Sequence, residues 1–164
     1  MANSKKLNSM RVLEQHSIPY EVFAYDASTR DAAEVAEMVG MPEFMVYKTL
    51  IVQSATDERQ KPMIVMIASD RRLHLKHMAA AAGEKKVKMA AHADAEKLTG
   101  LQVGGISPLM LLDKNWPVYI DQPATQLQNI AISAGQRGLQ LRVPVSPLLK
   151  LLRAKIADVS DDDH

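Results

Sequence analysis

The residue whose type and place most invite chemistry is Lys48. It lies in Val46 to Gln53, a β-branched, apolar run that reads as a strand, and alternation puts it on the same face as Val46, Leu50 and Val52. A lysine on a buried face either reaches a pocket, where desolvation would lower its pKa and a ligand anion could pair with it, or snorkels to a sheet edge and discourages aggregation there. The second candidate is the loop Gly104-Gly105-Ile106-Ser107-Pro108. Paired glycines let backbone N–H groups face a ligand, and Pro108 stiffens the exit by fixing φ. Such a loop donates to a carbonyl oxygen or a phosphate, or it is simply a tight turn between strands. Ser107 has the type of a nucleophile without its setting: Pro108 follows it, and Leu109 stands where a G-x-S-x-G elbow has its second glycine.

A third group is electrostatic. Between Asp70 and Ala90 the chain places Arg71, Arg72, Lys76, Lys85, Lys86 and Lys88 against only Asp70 and Glu84. Converging on one surface, Arg71, Arg72, Lys85 and Lys86 would contact nucleic-acid phosphates; scattered around a helix, they would be a solvated face. No aromatic residues interleave with them to stack bases, and neither a P-loop nor a dinucleotide fingerprint is present. His74 and His77 sit one helical turn apart, but no carboxylate completes an H-E-x-x-H pattern, so no metal is expected. With no cysteine, thiolate metal sites and a cysteine nucleophile are excluded, and the ten methionines read as flexible core filler. Twenty Lys and Arg balance nineteen Asp and Glu, a formal net charge of +1, which argues against a protein that grips nucleic acid over its whole surface.

The elements that must hold these groups follow from periodicity and punctuation. Helical spacing runs from Leu7 to Leu13, a strand from Tyr20 to Tyr25, and a helix from Ala32 to Val39 between an Asp31–Glu34 capping box and Gly40. Val46 to Gln53 and Met63 to Ala68, joined by a polar turn, predict an antiparallel pair. A helix over Leu73 to Ala82, a strand over Val87 to Ala90 and a helix over Asp94 to Thr99 come next. Strands are predicted at Leu109 to Leu112, Val118 to Asp121, Asn129 to Ser133 and Leu139 to Val143, then a last helix capped by Ser146 with Pro147 in its first position. Strands and helices that do not strictly alternate indicate an α+β chain with a mixed sheet. At 164 residues, a single domain over 1–159 is expected, with 160–164 as a solvated, mobile acidic tail. No apolar run approaches the roughly 20 residues of a membrane span and no signal-like stretch opens the chain, so the expected address is the cytoplasm.

Taken together, Val46-Tyr47-Lys48-Thr49-Leu50, Val103-Gly104-Gly105-Ile106-Ser107-Pro108-Leu109 and Arg137-Gly138-Leu139, in that order, resemble the YbaK-like family of prolyl-tRNA synthetase-associated editing domains. The likeness extends to Gly83-Glu84-Lys85-Lys86-Val87 and to the closing helix and strand, Leu148 to Asp158, and so covers almost the whole chain. It implies a mixed, barrel-like sheet flanked by helices, a pocket for the aminoacylated 3′ end of a tRNA, and removal of a mischarged small amino acid, cysteine first and then alanine. By the same resemblance Lys48 is the key polar group, and Gly105, Ser107 and Pro108 shape the catalytic loop. Tyr47, Thr49, Gly104, Ile106, Arg137 and Gln140 would contact substrate. The resemblance implies no cofactor, aminoacyl-tRNA as substrate and prolyl-tRNA synthetase as a partner.

Family members acting on cysteinyl-tRNA carry glycine where this chain has Met110. They show Ser-Gly-Gly-Lys-Arg-Gly-Leu-Asp where it reads Ser133-Ala134-Gly135-Gln136-Arg137-Gly138-Leu139-Gln140. Gln140 thus stands in place of an acid, and the loss of that carboxylate and of a nearby lysine would either retune which amino acid is accepted or weaken catalysis. Two other classes compete with an editing enzyme: a non-catalytic module that binds an amino acid or a tRNA end, and a small-ester hydrolase using Ser107. Turnover separates the first, and a serine-directed covalent probe the second.

Overall fold

The computed structural model describes residues 6–29 and 31–162. Its centre is β3 (Met63–Ala68), all six of whose residues are buried. The strand is apolar on both faces because a layer covers each one. On one face lie Leu13, Ile64, Met66, Ile120 and Leu148, and on the other Val65, Ile67, Met78 and Val87. Around β3 runs a five-stranded sheet in the order β5 (Val87–Met89), β2 (Tyr47–Ser54), β3, β6 (Val118–Asp121), β9 (Lys155–Ala157). The β2–β3 and β2–β5 pairs are antiparallel, whereas β3–β6 and β6–β9 are parallel. A second sheet, β1 (Glu21–Ala24), β8 (Leu139–Pro144) and β7 (Asn129–Ser133), is antiparallel throughout. A single parallel bridge, Val46 to Ala131, brings the two sheets together at the start of β2. The α+β class and the mixed sheet are as expected; among the described residues the strands do not close into a barrel.

Helices cover these sheets where their apolar stripes dictate. Met10 and Leu13 of α1 (Asn8–Gln15) and Leu148 and Leu152 of α5 (Val145–Leu152) enter the larger core, and Met78 and Ala79 of α3 (Leu75–Ala82) the smaller. Asp31 caps α2 (Ala32–Val39) by accepting from the Ala33 N–H, and Gly40 closes it in the left-handed conformation at φ 72°. The fourth helix, α4, runs His92–Thr99. Tyr20 ties α1 to the approach to β1 by donating to Glu14 Oε2 at 2.6 Å. Burial, with that bond, pushes its phenol up to about 12. No helix among the described residues is long and apolar enough to cross a membrane.

Four expectations need correction. Leu109 to Leu112 is not a strand but part of a 3-10 helix, Pro108–Lys114, because Ser107 Oγ accepts from Leu109 N at 3.2 Å and Pro108 starts the turn. Burial of Leu109 and Leu111, with Met110 between them less buried, imitates strand alternation. The helix expected from Leu73 starts at Leu75, since Arg71–Leu73 form β4, and His74 caps α3 by accepting at Nδ1 from His77 N. Helix α5 begins at Val145, before Ser146, so Pro147 falls within the first turn, where an N–H has no intrahelical acceptor anyway. Ser160–Asp162 of the acidic tail form β10 (Ser160–Asp162), antiparallel to β4. Arg71 explains the ordering: it donates to Ser160 Oγ, to Ser160 O and to Asp162 Oδ1, and Arg72 pairs with Asp161 at 3.7 Å. Asp163 and His164 lie outside the described residues.

Candidate active site

Strand β2 is paired on both sides only over part of its length. Its register with β5 runs from Val52 to Ser54, so the stretch from Tyr47 to Leu50 has β3 on one side and no β5 partner on the other. The backbone alternation along it is fixed at two points. Ser69 N donates to Val46 O on the β3 side, and Ala90 N donates to Ile51 O on the β5 side. Even-numbered residues therefore turn their peptide groups to β3, and Thr49 turns its N–H and C=O to the open edge.

Against that open edge lies a cavity of about 260 Å³. Val46, Tyr47, Lys48, Thr49 and Leu50 form one wall, Asp31, Ala32 and Val35 of α2 and its cap a second, and Val103, Gly104 and Ile106 a third. Tyr25, Ser133 and Gln140, brought in by the second sheet, complete it. Lys48 is half-buried and forms no ion pair among the described residues. It is one of the residues that line the cavity.

The cavity is poor in internal hydrogen bonds. Among the described residues, Tyr25 Oη, Tyr47 Oη, Thr49 Oγ1 and Gln140 Oε1 are buried without a partner, and all four residues line this cavity. An unpaired buried polar atom costs about 1–3 kcal/mol, so its concentration in one place marks a site made to meet a ligand. Tyr47 also borders a second cavity. Burial first, then Asp121 and Asp70, push its hydroxyl pKa up, with Arg71 opposing.

The glycine loop is locked from behind. Gly104 takes φ 91°, a left-handed conformation that a side chain rarely adopts. A Cβ on Gly105 would lie 2.9 Å from backbone atoms of Gln136 and Arg137. Arg137 Nε donates to Val103 O at 2.7 Å, and Gly105 N donates to Gln102 O at 2.7 Å. The Gly105 amide is thus committed to the turn, while the Gly104 and Ile106 amides donate to no acceptor among the described residues.

The predicted site residues divide accordingly. Lys48, Tyr47, Thr49, Gly104, Ile106 and Gln140 come together around the cavity. Gly105, Ser107, Pro108 and Arg137 stand behind it: Ser107 is fully buried as a helix cap, Pro108 borders a different cavity with Trp116, and Arg137 braces the loop. Of the basic residues, Arg71 and Arg72 are engaged by β10, whereas Lys85 and Lys86 are exposed. Tyr25, Asp31, Val35 and Ser133 belong to the cavity and were not singled out for it. Asp31 read only as a cap, and the Tyr25 N–H bond to Gly138 O, 2.9 Å, spans too much sequence to be seen in a local pattern.

Comparisons with known proteins identify relatives of this chain. The family model of the aminoacyl-tRNA editing domain matches residues 26–151, a span that contains every wall of the cavity except Tyr25. A protein of Enterococcus faecalis named "Putative Cys-tRNA(Pro)/Cys-tRNA(Cys) deacylase EbsC" is 34% identical over 158 residues, 95% of this chain and 94% of its own length. Among solved structures, one called "hypothetical protein APE2540" superposes with a TM-score of 0.84 at 26% identity, covering 94% of this chain and all of its own. Another, described as "a putative trans-editing enzyme for prolyl tRNA synthetase", has a TM-score of 0.79 at 24% identity over 96% of this chain and 99% of its own, and shares the fold. With the family model over most of its length and a relative aligned nearly end to end, the chain belongs to the aminoacyl-tRNA editing domain family.

Proposed function

We propose that this chain is a trans-editing deacylase that hydrolyses the ester of a mischarged small amino acid, cysteine first and alanine second, on tRNA(Pro) or a related tRNA. The observation that carries the reading is the half-buried Lys48, without an ion pair among the described residues, in a cavity whose other walls offer polar atoms and amides that have no partner among them. The relative named for Cys-tRNA(Pro) and Cys-tRNA(Cys) supports cysteine as the first substrate to try.

In this reading the Lys48 ammonium anchors the terminal phosphate or the ester, a task suited to a flexible cation. The amides of Gly104 and Ile106, held in place by the Arg137 brace, donate to the carbonyl oxygen as negative charge develops there. A bound water adds to the carbonyl carbon, the bond to the ribose oxygen breaks, and the amino acid and the tRNA 3′ hydroxyl leave. For a cysteinyl ester the substrate's own thiol can add instead, in which case the same acyl–oxygen bond breaks, the tRNA 3′ hydroxyl leaves with the thiol proton, and a cyclic thioester is released. This reading gives Ser107 no covalent role and is supported by its buried hydroxyl capping the following helix. Selection of the tRNA body falls to prolyl-tRNA synthetase in a ternary complex, since a chain of 164 residues has little surface with which to read a whole tRNA.

The test is deacylation of tRNA(Pro) charged separately with cysteine, alanine, serine and proline, with and without the synthetase. Rapid release of one non-cognate amino acid, with prolyl-tRNA spared, supports the reading. Stoichiometric protection of every ester would replace it with a binding module. Indifference to added synthetase, with no ternary complex, removes the partner.

A further inference from the structure

We propose that the cavity on the far side of Tyr47 is a nucleobase subsite, and that it receives the adenine of the terminal adenosine whose ester occupies the first cavity. This rests on the editing reading above and adds to it the place of the base.

The second cavity has a volume of about 340 Å³, within the size range of about 300–1,000 Å³ common for small-molecule sites. Tyr47 is common to the walls of both cavities. A shared wall residue is what an aminoacyl-adenosine requires, since its ester and base are carried by the same ribose and must enter neighbouring volumes.

Its lining matches a purine. Ala68 and Leu127 give an apolar surface, and Phe44, 51% exposed, stands beside them with its ring half free. A large aromatic left in water gains little there and is available to stack on a base, whatever its sequence. The polar groups are mixed in sign: the Asp70 carboxylate accepts, the Gln126 amide both donates and accepts, and Arg71, whose bonds go to β10, contributes positive charge. A lone anion would meet Asp70 and a lone cation would meet Arg71, whereas a neutral ring with an exocyclic amine and acceptor nitrogens can use both. Tyr47, shared with the first cavity, supplies a second pointer. It is 2% exposed and its hydroxyl has no hydrogen-bond partner among the described residues; Asp121 acts on that hydroxyl first, then Asp70 and Arg71, both of which line this cavity. A ring nitrogen or amine of adenine would satisfy it.

The experiment titrates isotopically labelled full-length protein with adenosine monophosphate and, separately, with ribose 5-phosphate, followed by NMR. Adenosine monophosphate is expected to shift resonances of Phe44, Ala68 and Leu127, and ribose 5-phosphate to leave them in place. Phe44→Ala should weaken the nucleotide about tenfold, and Phe44→Trp should restore it. On charged tRNA, Phe44→Ala should raise KM by a similar factor with kcat preserved. Nucleotide shifts confined to other surfaces, or Phe44→Ala and Tyr47→Phe both binding like the unaltered protein, would overturn the subsite. The two readings fail separately. Base-dependent shifts at Phe44 with no deacylation of any charged tRNA would sink the editing function and keep the subsite. Deacylation with KM indifferent to Phe44 would do the reverse.

Discussion

Gly105 lies flat against the backbone of Arg137: a Cβ added to the glycine would sit 2.9 Å from the Arg137 nitrogen. The same arginine sends its Nε to the carbonyl of Val103, two residues before Gly105, at 2.7 Å. The loop that faces the candidate ester is therefore positioned by the turn between β7 and β8, and the cavity keeps its shape only while the two segments stay in contact.

Gly105→Ala tests that dependence. The obstacle is backbone rather than the end of a flexible side chain, so the loop or the turn must move. Overpacking of this kind typically costs about 1–3 kcal/mol. Thermal unfolding should show a lower Tm, and deacylation should fall by about a hundredfold, as expected for displaced hydrogen-bond donors. A variant with unaltered Tm and rate would show that the contact does not position the loop.

Lys48→Ala should separate function from stability in the opposite way. No ion pair among the described residues is lost with the ammonium, so the change in stability should stay within about 0.5 kcal/mol, as for a side chain without a structural partner. Turnover of the preferred charged tRNA should fall by at least about a hundredfold. Equal rates for Lys48→Ala and the unaltered chain would remove the lysine from the mechanism.

What the sequence made legible was what local physics decides. The Asp31 cap and Gly40 stop bracketed α2, and β-branched runs marked β2 and β3, because cap chemistry and alternation act within a few residues. Lys48 and Gly104 could be chosen as candidates by type. The open edge that makes Lys48 useful could not, since it depends on β5 pairing with Val52 to Ser54 alone. Strand β4 was hidden for the same reason: Arg71–Leu73 is extended because Ser160–Asp162, far along the chain, pairs with it. The 3-10 helix after Ser107 shows the complementary failure, in which a cap and a proline outweigh an alternating apolar pattern.

The C-terminal strand divides the basic residues into two kinds. Arg71→Ala removes bonds to Ser160 Oγ, Ser160 O and Asp162 Oδ1, and should cost about 1–3 kcal/mol, seen as a Tm lowered by about 2–4 °C per kcal/mol. Lys85 and Lys86 are exposed, and their substitution by Ala should leave Tm nearly unchanged. If they contact tRNA phosphates, each substitution reduces the slope of log affinity against log salt concentration by about 1. A slope unaltered in the double substitution would make them a solvated face.

Gln140 offers the sharpest opposition between stability and function. It is 5% exposed and its Oε1 has no protein partner among the described residues, so a ligand that donates to it would relieve a desolvation cost. Gln140→Leu is close in volume and removes the unpaired Oε1, so it should raise stability by about 1 kcal/mol, a gain of a few degrees in Tm. Binding of the charged tRNA should weaken in the same variant, because the group awaiting substrate is gone, and the loss should fall on KM if Gln140 contacts ground state and transition state alike. Thr49→Val should behave in parallel, since Thr49 Oγ1 is also unpaired and the replacement keeps the β-branch. Urea unfolding and steady-state kinetics on the same preparations decide the matter. A stabilised protein with weaker substrate binding identifies these atoms as substrate contacts, whereas a destabilised one would mean that they have partners in solution and that the cavity is not poised for a ligand.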